Sequence, residues 1–94
     1  MRAFDLLGKR WTGVVLATLR GGPVGFRALA RAVDGISDSM LSDRLGALTE
    51  AGLVTRTVAD GPPLSVSYAL TDAGRALLPA LERITRWAER YLPR

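Results

Sequence analysis

The sequence predicts a mainly α-helical domain with one small β-hairpin, on three observations. Two short amphipathic stripes flank a tight turn at 34–37, the apolar period switches from helical to alternating after Gly52, and another helical stripe runs from residue 71 onward. At 94 residues one domain is expected over 1–94. A chain of this size buries only about two thirds of its unfolded surface, so a partner subunit would be a natural source of further burial.

Residues 2–7 read as a short helical turn with Phe4 and Leu7 on one side, and Gly8 stands where a helix C-terminus uses glycine. A second helix is expected over 9–20, with Trp11, Val14, Val15 and Leu19 on one face; Gly21-Gly22-Pro23 cannot continue it. Phe26, Leu29, Ala30 and Val33 fall at i, i+3, i+4 and i+7, the spacing of an amphipathic helix, and Gly35 follows them. Ser37 is an N-cap for the next helix, whose stripe of Leu41, Leu45 and Leu48 runs to Ala51 and Gly52. Two short helices joined by Asp34-Gly35-Ile36-Ser37 make a helix-turn-helix over about 25–51.

Beyond Gly52, residues 53–58 are rich in β-branched side chains, and Leu64, Val66, Tyr68 and Leu70 alternate with Ser65, Ser67 and Ala69. Asp60-Gly61-Pro62-Pro63 supplies the turn of an antiparallel hairpin over about 53–70. Thr71 caps a final helix over about 72–92 on which Leu77, Leu81, Ile84, Ala88 and Tyr91 keep helical spacing. Pro79 removes a backbone hydrogen bond there, so a kink or a split into two pieces is expected.

Composition narrows the function. The chain has no histidine and no cysteine, which removes the commonest general base, thiol nucleophiles, thiolate metal sites and thiol redox switches. Gly8 and Gly13 flank Lys9 but lack the Lys-Ser/Thr ending of a phosphate-binding loop and follow a helix rather than a strand. Neither an enzyme nor a cofactor or metal site is expected. No apolar run approaches the ~18 residues of a membrane span, and the cations of the last helix are interrupted by Glu82 and Glu89, which argues against a membrane surface. Thirteen cationic residues, all but Lys9 arginine, against nine acids leave a net charge of +4, which points to a nucleic-acid or acidic partner. With no Asn or Gln, base reading would lack the amide contact to adenine.

A helix-turn-helix, a hairpin and a terminal helix in that order describe a winged helix. The segments FDLLGKRWTGVVLATLRGGPVGFRALARAVDGIS, MLSDRLGALTEAGLVTR and VSYALTDAGRALLPAL together resemble the HxlR-type family of bacterial winged-helix transcriptional regulators. The likeness covers essentially the whole chain. Its distinctive pieces are Lys9 and Trp11, Phe26, Met40-Leu41-Ser42 with Arg44-Leu45, Glu50-Ala51-Gly52-Leu53-Val54, and Tyr68 with Leu70-Thr71 before Ala73-Gly74. The resemblance implies a cytoplasmic, homodimeric regulator that binds double-stranded DNA. The helix at 37–51 would enter the major groove, the hairpin tip at 59–63 would lie along adjacent backbone or minor groove, and the terminal helices would form the dimer interface.

On that footing Ser37, Ser39, Ser42, Asp43 and Arg44 are candidate DNA contacts of the recognition helix, with Arg27, Arg31, Arg56 and Gly61, and with Lys9 and Arg10 at a helix start, beside the backbone. Phe4, Leu7, Ile84, Trp87, Ala88 and Tyr91 are candidate dimer contacts. Arg83, Arg86, Arg90 and Arg94 would flank that seam, with Glu82 and Glu89 as cross-subunit partners. Trp11, Trp87 and Tyr91 are candidate walls of a pocket for a small aromatic effector. Many relatives carry a cysteine sensor just ahead of the segment matching Phe4 and Gly8, and this chain has no cysteine. It departs from the family pattern in charge as well: residues 1–34 carry +4, residues 35–60 carry −2 and residues 61–94 carry +2. Asp38, Asp43 and Asp60 are therefore expected to weaken phosphate binding on the presumed reading surface, unless Asp43 or Asp38 accepts from a cytosine amino group. That acidity favours, as the second reading, a winged-helix protein-interaction module with weakened or lost DNA binding.

Overall fold

The computed structural model describes residues 2–93, in which five helices and three short strands follow in the order α1 (Arg2–Leu7), α2 (Thr12–Thr18), β1 (Val24–Gly25), α3 (Phe26–Ala32), α4 (Asp38–Glu50), β2 (Val54–Ala59), β3 (Ser65–Leu70) and α5 (Asp72–Tyr91). A 3-10 turn, Leu19–Gly21, closes α2. The strands form an antiparallel sheet in the order β1-β3-β2. The expected hairpin is present, with Val54 opposite Leu70 and Ala59 opposite Ser65. Its third strand was not expected: Val24 and Gly25 pair with Tyr68 and Ser67. Two residues beside glycines and a proline carry no periodicity; they are extended because β3 offers them a free edge.

One apolar core joins all layers. Val15, Leu16 and Leu19 from α2, Leu29 and Val33 from α3, Leu41, Leu45 and Leu48 from α4, and Val54 and Leu70 from the sheet are all buried. Thr12 is buried on the same side of α2, whereas Val14, placed on that face by the sequence, is 49% exposed. Val15 and Leu19 keep the expected face, and the buried arc runs on through Thr12 and Leu16 rather than through Val14. The helix also begins three residues later than expected. Residues 9–11 form a turn, and Trp11 sits at φ 79° in the left-handed region, which is strained for a bulky side chain. Leu64, expected on the inward face of its strand, lies before β3 begins and is 69% exposed.

The turns explain how the elements meet. Ser37 accepts a hydrogen bond from the Met40 amide at 3.1 Å and so caps α4. At the other end Gly52 adopts φ 80°, and the amides of Gly52 and Leu53 donate to the carbonyls of Thr49 and Leu48, both at 3.0 Å. This paired closure ends the helix and launches β2 at once. The same corner anchors α5. Thr71 donates its hydroxyl to Gly52 O at 2.7 Å and its amide to Leu53 O at 3.0 Å, while its Oγ1 accepts from the Gly74 amide at 3.1 Å. A Cβ on Gly74 would stand 2.2 Å from Leu53 O, so only glycine lets α5 approach the turn this closely.

Pro79 does not split α5, which continues as one helix of 20 residues. Leu77, Leu78 and Leu81 pack on the core, but Ile84, Trp87, Tyr91 and Leu92 are each more than half exposed. The second half of α5 thus overhangs the body, giving extents of 50 × 26 × 22 Å. No helix among the described residues is long and apolar enough to cross a membrane.

Candidate nucleic-acid interface

The residues α4 shows to solvent follow from its period. With Leu41, Leu45 and Leu48 inward, Ser39, Ser42, Asp43 and Gly46 are exposed, and Ala47 is half-buried at the edge. These small side chains leave the helix backbone close to whatever approaches it. Gly46 stands out among them: a Cβ there would meet nothing within 4 Å. Glycine inside a helix costs about 0.5–1 kcal/mol relative to alanine, and here no intramolecular contact offsets that cost.

Several candidate contacts are already engaged within the chain. Ser37 Oγ accepts from the Met40 amide and lies 3.4 Å from Ser39 Oγ. Arg44 was expected at the groove, but only 12% of its side chain is exposed. Its Nε donates to Arg10 O at 2.7 Å and its guanidinium pairs with Asp43 Oδ2 at 2.5 Å. Arg44 is thereby a brace that ties α4 to the turn before α2. Asp43 spends part of its charge on that brace. Asp38 lies in the first turn of α4, where the helix dipole favours an acid, and pairs with Arg27 at 2.5 Å. Both side chains of that pair are more than 60% exposed, so it is open to exchange with an outside anion. Asp38 and Asp43 thus have local structural roles.

Arg31 and Arg56 are exposed, and neither has a carboxylate within 4 Å among the described residues. Gly61, at φ 137°, forms the hairpin tip, where L side chains are disfavoured. Lys9 and Arg10 lie in the turn ahead of α2 rather than inside a helix, and the Arg10 guanidinium stacks on the Trp11 ring 4.7 Å from its centre.

Between α4 and the sheet lies an open notch of about 410 Å3 lined by Ser42, Leu45, Gly46, Thr49, Glu50, Arg56 and Tyr68. Ser42, Leu45, Gly46 and Thr49 fall at i, i+3, i+4 and i+7, one face of the helix. Arg56 and Tyr68 face each other across β2 and β3, so their side chains share one face of the sheet. The sequence reading identified Arg56 but not Tyr68, Thr49 or Glu50 as site residues; strand register, which brings Arg56 and Tyr68 together, was the missing signal.

The three candidate effector-pocket residues line none of the clefts described between the elements. The Trp11 ring lies against the helix-turn-helix turn, its Cη2 3.6 Å from where a Cβ on Gly35 would stand, while Trp87 pairs with Tyr91 on the overhanging end of α5 at 6.2 Å between ring centres. The three do not wall one cavity. A cleft of about 580 Å3 does lie between α2 and α5, but Gly13, Ala17, Leu78, Leu81, Ile84 and Thr85 line it, with Arg20, Glu82 and Arg86 at its polar edge. Arg20 and Glu82 form an ion pair there, so Glu82 is held within its own subunit.

The candidate dimer residues are exposed or partly so. Phe4 is 63% exposed; Ile84, Trp87 and Tyr91 follow one another at helical spacing with Ala88 half-buried beside them; Leu7 lines an apolar groove between α1 and α5. Arg83, Arg86 and Arg90 are exposed along α5, and Arg94 lies outside the described residues.

The sequence and the architecture have counterparts among known proteins. The family model for the HxlR-like helix-turn-helix matches residues 6–94. The chain is 37% identical over 89 residues to the HTH-type transcriptional regulator YodB of Bacillus subtilis, which covers 95% of this chain and 80% of the relative. It is 41% identical over 93 residues to the HTH-type transcriptional regulator Rv3095 of Mycobacterium tuberculosis, covering 99% of this chain and 58% of that protein. The solved structure of the reduced form of YodB superposes with a TM-score of 0.89 at 36% identity, over 97% of this chain and 89% of the other. These relatives are transcriptional regulators and not enzymes.

Proposed function

The chain belongs to the HxlR-like helix-turn-helix family of transcriptional regulators, and from that premise we propose that it is a cytoplasmic, sequence-specific, homodimeric DNA-binding regulator organised as one winged-helix unit. α4 enters the major groove with Ser39, Ser42 and Asp43, and the hairpin tip around Gly61 lies along the neighbouring backbone. Arg27, Arg31 and Arg56 meet phosphates. The single observation that carries this reading is the small-residue face of α4: Ser39, Ser42 and Gly46 are exposed on a helix whose opposite face is locked in the core. An α-helix fits the major groove when its outward side chains let its backbone come close.

The apolar overhang of α5 supports the homodimer. Ile84, Trp87, Tyr91 and Leu92 leave a row of large apolar side chains in water, and a two-fold mate would bury such a stripe against its own copy. Two copies then present two α4 helices about 34 Å apart, one turn of DNA.

The test is fluorescence anisotropy with a duplex from upstream of the protein's own coding sequence and a scrambled duplex of the same composition, at ~50 and ~200 mM salt. Tighter binding to the upstream duplex, falling steeply with salt, is expected. Equal affinity for both duplexes overturns sequence specificity. Absence of binding to either, by a folded protein, favours the protein-interaction module instead, for which the net charge of −2 over residues 35–60 is the specific argument.

A further inference from the structure

We propose that the notch between α4 and the hairpin seats one phosphodiester of the DNA backbone, with Gly46 as its clearance and Arg56 as its cation. The proposal rests on the regulator reading and adds the residues that set how deeply α4 enters the groove.

Three observations converge on the notch. Gly46 lies in mid-helix, exposed, with open space where its Cβ would be, so nothing inside the chain requires glycine. The glycine leaves room for an object approaching from outside, which a methyl group would hold away from the helix backbone. Arg56 projects beside Gly46 from β2 without a carboxylate within 4 Å among the described residues, and it shares its sheet face with Tyr68. Ser42, one turn before Gly46, borders the same open hollow as Arg56 and Tyr68, so three of its lining residues carry hydrogen-bond donors. Thr49 contributes little, since its hydroxyl donates back to Leu45 O at 2.7 Å. An arginine and hydroxyl-bearing side chains around an open hollow supply the kind of donors that bind a phosphate.

Glu50 lines the same hollow and opposes the charge of Arg56. The notch therefore selects position more than it adds attraction: a phosphate must sit on the Arg56 side, away from Glu50. That fixes the register of α4 in the groove and accounts for a reading helix that works without a basic face.

The experiment compares the wild-type chain with Gly46→Ala, Arg56→Ala and Glu50→Gln, on the upstream and scrambled duplexes across a salt series, with thermal melting of each free protein. Gly46→Ala is expected to raise the melting temperature and yet weaken binding to both duplexes at least fivefold. Arg56→Ala is expected to weaken both duplexes alike and to reduce the salt slope by about one unit. Glu50→Gln is expected to tighten binding. Wild-type affinity in a stabilised Gly46→Ala overturns the notch, as does an unchanged salt slope in Arg56→Ala, even where the wild type binds DNA. A wild type that binds neither duplex overturns the regulator reading and the notch together.

Discussion

Replacing Trp87 and Tyr91 together with glutamate is expected to leave a folded monomer whose affinity for its DNA site is lower by about 100-fold or more. The two rings are more than half exposed and lie tilted against each other, 6.2 Å between centres, so their loss removes little intramolecular packing. Across a two-fold axis, the same change places four carboxylates in an apolar seam, where unpaired charges are strongly disfavoured. The DNA effect follows from linkage: when two helices grip two half-sites, the second contact is intramolecular, and such coupling contributes about 10²–10⁴ in affinity. Sedimentation equilibrium reads the first effect and anisotropy the second. A double variant that remains dimeric would place the interface elsewhere, with Phe4 and Leu7 of α1 as the next surface to alter.

Gly74→Ala is expected to destabilise the fold by about 3 kcal/mol, the upper end of the range for overpacking. The new methyl would lie 2.2 Å from the Leu53 carbonyl oxygen and 3.1 Å from Leu70 Cδ2. Backbone is the nearer obstacle, and it is pinned: Leu53 O accepts from the Thr71 amide, and Leu53 N closes α4 on Leu48 O. Relief requires α5 to swing away from the α4–β2 corner and give up the Thr71 cap. The opposite sign is expected for the same substitution at Gly46, where nothing lies within 4 Å and alanine gains helix propensity. Urea denaturation of the two variants side by side separates a glycine held by internal packing from one that the free protein does not need. A Gly74→Ala protein as stable as the wild type would show that the corner is pliant.

What the sequence disclosed, and what it withheld, divides along a physical line. Local signals were sufficient where one residue dictates the geometry. Ser37 and Thr71 cap helices as expected, Gly52 ends one, and the Leu41, Leu45 and Leu48 stripe is buried throughout. Signals failed where a tertiary partner decides. β1 exists because β3 has a free edge; Trp11 enters the left-handed region in a turn where Arg44 binds the carbonyl of Arg10 from 34 residues away; and the core takes the Thr12 and Leu16 side of α2 rather than Val14. Pro79 pointed to a kink or a split, and the split does not occur: α5 loses only one donor there while Leu77, Leu78 and Leu81 hold both sides of it on the core. At the surface proposed to face DNA the exposed positions of α4 were legible from periodicity. The commitment of Arg44 to a brace was not, nor was the meeting of Arg56 with Tyr68, since both depend on distances that no spacing along the chain encodes.

The account rests on two copies of α4 reading two half-sites on one face of DNA. Hydroxyl-radical footprinting on the upstream duplex tests this directly. Two protected segments related by a dyad, with centres about one helical turn apart, are the predicted result. One protected segment without a dyad, from protein shown to be bound, would contradict it.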